Sequence, residues 1–204
     1  MTSEQWISYF DDTYAEKLDR RAESFRHATS LFLQRQGKVI VETGTIRNSA
    51  EWGIPIGDPR MWRGDGLSTI LFSDLCSRTG AMLYSVDASL ENVGVSRKLT
   101  LQWEASRSIL ALDSVEFLES FPLPIDLLYL DSFDFEPSDP GPSQLHNLRE
   151  AKAALPSLHE NSIVLIDDAD QILGGKGGMT VPFLIKQGWT PTRFQRQFVL
   201  SHTT

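Results

Sequence analysis

The chain has 204 residues, of which 41% are hydrophobic, and this is enough for one globular domain with a full core. Its formal charge of -8 argues against nucleic acid or an anionic membrane surface as the main partner. The single cysteine, Cys76, excludes an internal disulfide and a cysteine metal cluster, and suits a reducing cytoplasm. No N-terminal apolar stretch resembles a signal peptide, and apolar runs such as residues 127–130 are far shorter than the ~20 residues of a membrane helix.

The N-terminal region, residues 4–35, has the spacing of an amphipathic helix. Large apolar residues recur there at four-residue steps: Trp6, Phe10, Tyr14 and Leu18. We expect this segment to pack over a sheet or to cover a ligand. Acidic residues separate its basic residues, which is typical of a solvated helix face and not of a binding patch: Lys17, Arg20, Arg21 and Arg26.

Strand and helix patterns alternate along the rest of the chain, without a repeat or a linker. Strands are predicted at 38–42, 82–87, 108–112, 125–131 and 162–168. Helices are predicted at 66–78, 95–105, 114–120, 143–156 and 179–187. Two more strands are predicted at 190–194 and 197–201, the second antiparallel because only a tight link separates them. The sequence therefore predicts an α/β fold, a doubly wound seven-stranded sheet that is mostly parallel, has an antiparallel last strand and carries helices on both faces.

We expect one domain over residues 1–204. It consists of an N-terminal helical segment at 1–36 and a sheet core at 37–204, with an inserted loop at 46–63.

A glycine turn follows the first predicted strand. Residues 39–41 are a short apolar run typical of a central parallel strand, Glu42 stands where that strand would end, and Gly44 follows as the turn. After an interruption, residues 64–72 resume with glycines and the start of a helix. Glycines let a backbone pass close to a ligand, and free N–H groups at a helix start can hydrogen-bond it, so the pattern favours a nucleotide-like cofactor.

Carboxylates stand at the ends of four predicted strands: Glu42, Asp87, Asp131 and the pair Asp167-Asp168. Ligands of doubly wound sheets bind at these carboxyl ends. Any one of these acids could be a helix cap or a turn residue, but four together indicate a site. Asp87 is the expected acceptor of two ribose hydroxyls. After the third strand, either Asp113 or Ser114 caps a helix, or the pair contacts an adenine amino group.

The order and spacing of these residues resemble the class I S-adenosylmethionine-dependent methyltransferases over residues 38–202. The resemblance implies a Rossmann-like fold that binds S-adenosylmethionine, with the glycine turn near the methionine part, Asp87 at the ribose and Asp113-Ser114 near the adenine. The cofactor-binding residues that it implies are Glu42, Gly44, Thr45, Gly64, Gly66, Ser68, Asp87, Asp113, Ser114 and Asp131.

Within that superfamily, the acids are similar to those of metal-dependent O-methyltransferases of the catechol and macrolide-sugar type. Asp131, Asp167 and Asp168 match the positions that hold magnesium there. Carboxylates that converge on one pocket repel one another unless a cation neutralises them, and oxygen ligands alone favour magnesium, manganese or calcium over zinc. The alternative is that Asp168 or Asp170 caps the segment after the fifth strand.

Methyl transfer to a hydroxyl needs a base that takes the proton. The resembling families often carry a lysine or histidine three residues after the first metal ligand, and this chain has Asp134 there. We therefore expect Asp134 to be the base or another ligand, with His146 as the second candidate.

Two further segments adjoin this predicted site. Residues 46–63 split a turn that the family usually keeps short, and their two tryptophans, Trp52 and Trp62, predict a lid over the acceptor pocket; the alternative is a surface loop. Residues 174–178 are glycine-rich but do not form a P-loop, because Gly177 follows Lys176 where Ser or Thr is needed. For Lys176 an exposed loop charge is favoured over contact with an anionic substrate group.

The sequence thus predicts a cytoplasmic S-adenosylmethionine-dependent methyltransferase, with divalent-metal-assisted transfer to a hydroxyl of a small molecule. Neither a nucleic acid nor a membrane is expected as a partner, and a homo-oligomer is left open. One alternative is a non-catalytic protein that binds S-adenosylmethionine or a partner. A nicotinamide-dependent oxidoreductase is disfavoured, because no Gly-x-Gly-x-x-Gly follows the first strand and no Ser-Tyr-Lys-type set is evident.

Overall fold

The structure is a computed structural model that describes residues 1–47 and 67–202. The predicted site residues Gly64 and Gly66, and the two tryptophans of the predicted lid, Trp52 and Trp62, lie outside the described residues.

A seven-stranded sheet forms the centre of the described chain. Its strands are β1 (Val39–Thr43), β2 (Met82–Asp87), β3 (Arg107–Ala111), β4 (Ile125–Leu130), β5 (Leu158–Ile166), β6 (Thr190–Arg193) and β7 (Phe198–Ser201). They lie in the order β3-β2-β1-β4-β5-β7-β6, and β7 alone runs antiparallel to its neighbours on both sides. The predicted fold class is confirmed.

Eight α-helices surround this sheet within the described ranges: α1 (Ser3–Thr13), α2 (Ala15–Leu18), α3 (Ala22–Gln34), α4 (Leu67–Thr79), α5 (Leu90–Leu99), α6 (Ser114–Ser120), α7 (Gly141–Ala154) and α8 (Thr180–Lys186). Several predicted elements have different bounds in the structure: β1 is shifted by one residue, and β5 begins at Leu158 and ends at Ile166. The helix expected at 95–105 begins earlier, because the Ser89 side chain accepts a hydrogen bond from the backbone N–H of Asn92 and caps α5. A short 3₁₀ segment, Leu101–Ser106, completes the connection to β3. Over the described residues, no helix is long and apolar enough to cross a membrane.

The core is divided between the two faces of the sheet, because successive side chains of a strand point to opposite faces. In β4, Leu127 and Tyr129 join the cluster under α1, α3 and α4, whereas Leu128 and Leu130 join the cluster under α6, α7 and α8. The N-terminal helices thus pack over the sheet, one of the two expected roles. Trp6 and Phe10 of α1 are fully buried there.

The parallel pairing of β2, β1, β4 and β5 brings their carboxyl ends to one edge of the sheet. Thr43 is level with Val86 and with Leu130, and Leu130 is level with Ile166. The residues that follow these strands therefore form a row, and the order of the sheet reverses direction between β1 and β4, where ligands of doubly wound sheets bind.

Candidate functional site

A cavity of about 450 Å³ opens at this edge of the sheet. Nine predicted site residues line it: Gly44, Thr45, Ser68, Asp87, Asp113, Ser114, Asp131, Asp134 and His146. The remaining lining residues are Arg47, Val86, Ala88, Asn92, Ser132 and Phe133. The ends of β1, β2 and β4 therefore converge on one space, and the carboxylates of Asp87 and Asp131 line it as predicted.

Gly44 makes the turn that leaves β1 beside this cavity. Its φ is +81°, which is a conformation that L side chains rarely adopt. A Cβ at this position would lie 2.8 Å from the carbonyl oxygen of Asp131. Glycine is therefore required both for its positive φ and for the lack of space for a Cβ. The absence of a side chain lets the backbone after β1 approach the backbone after β4.

Asp87 ends β2 with its carboxylate held in place by neighbouring N–H groups. The backbone N–H of Ser89 donates to it at 2.8 Å and that of Thr45 at 3.1 Å, and the Asn92 side chain donates to both oxygens at 3.2 Å. These bonds fix the orientation of the carboxylate and connect the β1 turn to β2. Asn92 was not found from the sequence, because only the α5 backbone brings it back toward the strand end.

Asp113 caps α6, which is one of the two roles expected for the Asp113-Ser114 pair. Its side chain accepts hydrogen bonds from the N–H groups of Val115 at 2.9 Å and Glu116 at 3.1 Å. The Ser114 hydroxyl instead lies 3.1 Å from Nε2 of His146. Contact of this pair with an adenine remains a prediction.

Glu42 does not line the cavity. The strand β1 runs one residue further than predicted, so Glu42 lies within the sheet, level with Ser85 and Tyr129 and fully buried. The Ser85 hydroxyl donates to it at 2.6 Å. Burial raises the pKa of Glu42 to about 7, although hydrogen bonds from Ser68 and Ser85 oppose this rise.

Asp131, Asp167 and Asp168 meet as the sequence predicts. One carboxylate oxygen from each lies within 4.8 Å of the others. The Tyr129 hydroxyl donates toward Asp131 at 3.0 Å and toward Asp167 at 3.1 Å. Asp168 has a φ of 53°, so β5 ends before it, at Ile166, and this turns the two neighbouring carboxylates toward the same cluster.

Three cationic side chains surround this acidic cluster. Nη2 of Arg21 lies 2.8 Å from Asp167, Nζ of Lys176 lies 2.7 Å from Asp131 and 3.2 Å from Asp168, and Arg196 is hydrogen-bonded to Asp168. Two interpretations of the sequence were wrong. Arg21 is not on a solvated face, and Lys176, whose side chain is only 1% exposed, is not an exposed loop charge.

The acid–base properties of the cluster follow from these pairs. Burial raises the pKa of Asp167, but the charge and hydrogen bonds of Arg21 outweigh this effect and lower it to about 2. Burial lowers the pKa of Lys176, but Asp131 and Asp168 outweigh it and the net shift is upward. The Arg21–Asp167 pair and the Lys176 ammonium are therefore held in their charged forms, whereas burial raises the pKa of Asp131 to about 7 against the opposing charge of Lys176.

This arrangement does not fit a divalent cation. Three carboxylates face three cations, so the charge that would attract a metal ion is already neutralised. A proton on Asp131 would make the cluster net positive and less favourable still. The ammonium group of Lys176 also occupies oxygens of two of the three carboxylates that would ligate the ion.

Asp134, the first candidate base, is bound by an arginine. Arg47 donates from Nη1 at 2.8 Å and contacts the other carboxylate oxygen through Nη2. The Asp134 side chain is 72% exposed. A solvated carboxylate already paired with a guanidinium is poorly suited to accept a further proton.

His146, the second candidate, lies on α7, is partly buried and contacts other polar side chains. Its Nε2 lies 3.4 Å from Oε1 of Glu150, one helical turn on, and the Ser132 hydroxyl donates to the same oxygen. The hydrogen bond to Glu150 raises the pKa of His146 above its ordinary 6.5, against the opposing effect of burial. Sequence reasoning missed Glu150, although its i,i+4 spacing from His146 was a usable signal.

Neither a protein-family model nor a curated protein sequence matches the chain. Solved structures do. A methyltransferase from Podospora anserina, PaMTH1, bound to S-adenosylhomocysteine, superposes with a TM-score of 0.64 and 12% identity, over 99% of this chain and 88% of that one. A protein from Klebsiella pneumoniae provisionally described as an O-methyltransferase superposes with a TM-score of 0.57 and 16% identity, over 87% of this chain and 80% of that one.

An rRNA methylase from Streptococcus thermophilus is also similar, with a TM-score of 0.55 and 10% identity, over 88% of this chain and 96% of that one. At such identities the likeness concerns the fold alone. The strand order and the antiparallel β7 agree with that likeness, and the chain has the Rossmann-like fold of the class I S-adenosylmethionine-dependent methyltransferases.

Proposed function

We propose that the protein is an S-adenosylmethionine-dependent methyltransferase that transfers the methyl group to a hydroxyl oxygen of a small molecule. The observation that carries this proposal is one cavity lined by both an oriented carboxylate, Asp87, and the partly buried His146, which is paired with the buried Glu150. The proposed cofactor-binding residue and the proposed base thus line the same cavity. The cavity volume of about 450 Å³ is within the range of ligand pockets.

The cofactor would lie across the ends of β1 and β2. The Asp87 carboxylate, oriented by Thr45 and Ser89, would accept hydrogen bonds from the ribose hydroxyls. The turn at Gly44 has no side chain to exclude the methionine part. Ser114 also lines the cavity, and the resemblance places the adenine near it.

His146 is the better supported base of the two candidates. The contacts to Ser114 and Glu150 involve Nε2, and we assign the tautomer in which Nε2 carries the proton and Nδ1 carries the lone pair. The acceptor oxygen would attack the sulfonium methyl carbon, forming the O–C bond as the C–S bond breaks. S-adenosylhomocysteine would leave, and the hydroxyl proton would pass to His146.

The acceptor is proposed to be a small molecule and not RNA, although rRNA methylases share the fold. The chain has a formal charge of -8, and a negatively charged protein is repelled by a phosphate backbone. Metal assistance, which the acidic cluster predicts from the sequence, is not part of the mechanism proposed, because three cations already occupy that cluster.

Calorimetry with S-adenosylmethionine, NAD and the Asp87→Ala variant tests the cofactor assignment. We expect S-adenosylmethionine to bind the wild type and an exposed control variant, Asp12→Ala, alike, and Asp87→Ala more weakly. Tighter binding of NAD would contradict the assignment. Release of S-adenosylhomocysteine with a panel of phenols, catechols and sugars then separates an enzyme from a non-catalytic binding protein.

A further inference from the structure

We propose that Lys176 permanently occupies the place of a divalent cation between Asp131 and Asp168, so that the site binds no metal ion. This inference deepens the proposed function. It relies on that function only for the identity of the neighbouring cavity.

Three oxygen atoms surround the buried ammonium group of Lys176. Nζ donates to Oδ1 of Asp131 at 2.7 Å and to the backbone oxygen of Asp131 at 3.2 Å, and it forms an ion pair with Oδ2 of Asp168 at 3.2 Å. A lysine carries three N–H donors, which is the number of oxygens around it. The side chain is only 1% exposed, so these oxygens and not a substrate are its partners. Its role is to hold the carboxylates, as a bound ion would, and not to polarise the acceptor.

The glycine-rich segment 174–178 brings this lysine into the interior. Gly175 has a φ of +58°, and a Cβ there would lie 1.6 Å from the carbonyl oxygen of Asp168. The segment is thus laid directly against the Asp168 backbone, which only glycine permits. The Gln144 side chain of α7 donates to the carbonyls of Leu173 and Gly175 and fastens it there. These contacts explain a glycine run that has no phosphate-binding pattern.

The other two cations complete the neutralisation from distant parts of the chain. Arg21 comes from the turn before α3 and contacts both oxygens of Asp167, whereas Arg196 comes from the β6–β7 hairpin and reaches Asp168. With these three groups in place, a divalent ion would have to displace a buried ammonium and would bring excess positive charge. Each change costs free energy in a site removed from water.

Removing one cation should convert the cluster into a metal site. In Lys176→Met, three carboxylates would face two arginines, and the space left by the ammonium would be bordered by Asp131 and Asp168. Mn²⁺ is a suitable probe, because it takes oxygen ligands and its free form is measured by electron paramagnetic resonance. The matched control is Lys186→Met, which removes an exposed lysine of α8.

Wild type and Lys186→Met are expected to leave the free Mn²⁺ signal unchanged up to about 1 mM, the weak end of protein cation sites. Lys176→Met is expected to bind Mn²⁺ with a dissociation constant at least about tenfold below this 1 mM limit. The double variant Lys176→Met, Asp168→Asn is expected to lose that binding. The melting temperature of Lys176→Met should be lower than that of the wild type and should rise again with Mn²⁺.

Binding of Mn²⁺ by the wild type below about 1 mM, abolished by Asp131→Asn, would overturn the proposal. So would a folded Lys176→Met protein that gains no Mn²⁺ binding, because the lysine would then not be what excludes the ion. If Lys176→Met does not fold, the wild-type titration still decides. None of these measurements uses S-adenosylmethionine or turnover, so their outcome is independent of whether the proposed function holds.

Discussion

Nε2 of His146 lies 3.4 Å from the fully buried carboxylate of Glu150, one turn further along α7. A carboxylate beside an imidazole stabilises its protonated form and selects its tautomer, so a histidine placed in this way can take a proton at one nitrogen while the other is held. His146 lines the cavity that Asp87 and Asp131 also border.

Replacing His146 tests its role as the base. If it removes the acceptor proton, His146→Gln should lower kcat by roughly 100- to 10,000-fold and leave the affinity for S-adenosylmethionine unchanged. Asp134→Asn, the change at the rival candidate, should lower kcat by less than about tenfold. The reverse order of the two effects would return the base to Asp134. Single-turnover rates and calorimetry give the two quantities separately.

The pH profile of turnover should respond to Glu150. The hydrogen bond to Glu150 raises the pKa of His146, so the imidazole becomes an active, neutral base only as pH rises through a value above 6.5. In Glu150→Gln that support is lost, and the acidic limb of the kcat profile should move to lower pH with a lower plateau. Glu160→Gln, on the exposed part of β5, is the control, and an unmoved limb in Glu150→Gln would contradict the pairing.

Alanine substitutions at Gly44 and Gly80 distinguish the cost of backbone strain from the cost of steric overlap. Both have positive φ values, +81° and +70°, but a Cβ at Gly44 would meet the carbonyl oxygen of Asp131 at 2.8 Å, whereas a Cβ at Gly80 meets nothing within 4 Å. We expect Gly80→Ala to cost about 1 kcal/mol of unfolding free energy and Gly44→Ala at least about 1 kcal/mol more. Urea unfolding of the two variants measures the difference. Equal costs would mean that the β1 and β4 loops separate easily.

Asp87→Ala should weaken S-adenosylmethionine binding by roughly 1–3 kcal/mol, because the ribose would lose its charged acceptor. Asp87 also holds Thr45 and Ser89, so part of the loss would come from the turn itself. Asp87→Asn keeps an acceptor oxygen for those N–H groups. It therefore separates the loss of the charged ribose acceptor from the disturbance of the turn. Unchanged affinity in both variants would show that the cofactor does not lie at β2.

Glu42 should make stability depend on pH. Its pKa is about 7 in the folded protein, against an ordinary value of 4.5, so between these values the unfolded chain gives up its proton first. The unfolded state then binds fewer protons than the folded state, and stability falls as pH rises from about 4.5 to about 7. The wild type should lose roughly 2–4 kcal/mol relative to Glu42→Gln across this interval, by urea unfolding at several pH values. A difference in unfolding free energy between the two proteins that does not change with pH would contradict the raised pKa of Glu42.

Local patterns were sufficient to predict the sheet and the place of the site. The apolar runs at residues 39–41 and 127–130 predicted buried strands, and the acids after them were placed at one edge because parallel strands end together. Asp87 and Asp131 both line the cavity for this reason. Glu42 was misplaced by a strand boundary one residue too early, which moved its side chain from the sheet interior to the strand end.

The sequence by itself determined that Asp131, Asp167 and Asp168 would meet, since each follows a strand of the same parallel sheet. What holds them was decided only by the tertiary structure. Lys176 is 45 residues from Asp131 and Arg21 is 146 residues from Asp167, and neither spacing leaves a local pattern. A cluster of carboxylates attracts a metal ion or forms internal ion pairs according to which cations the fold brings within hydrogen-bonding distance, and that depends on long-range packing and not on the residues next to the acids.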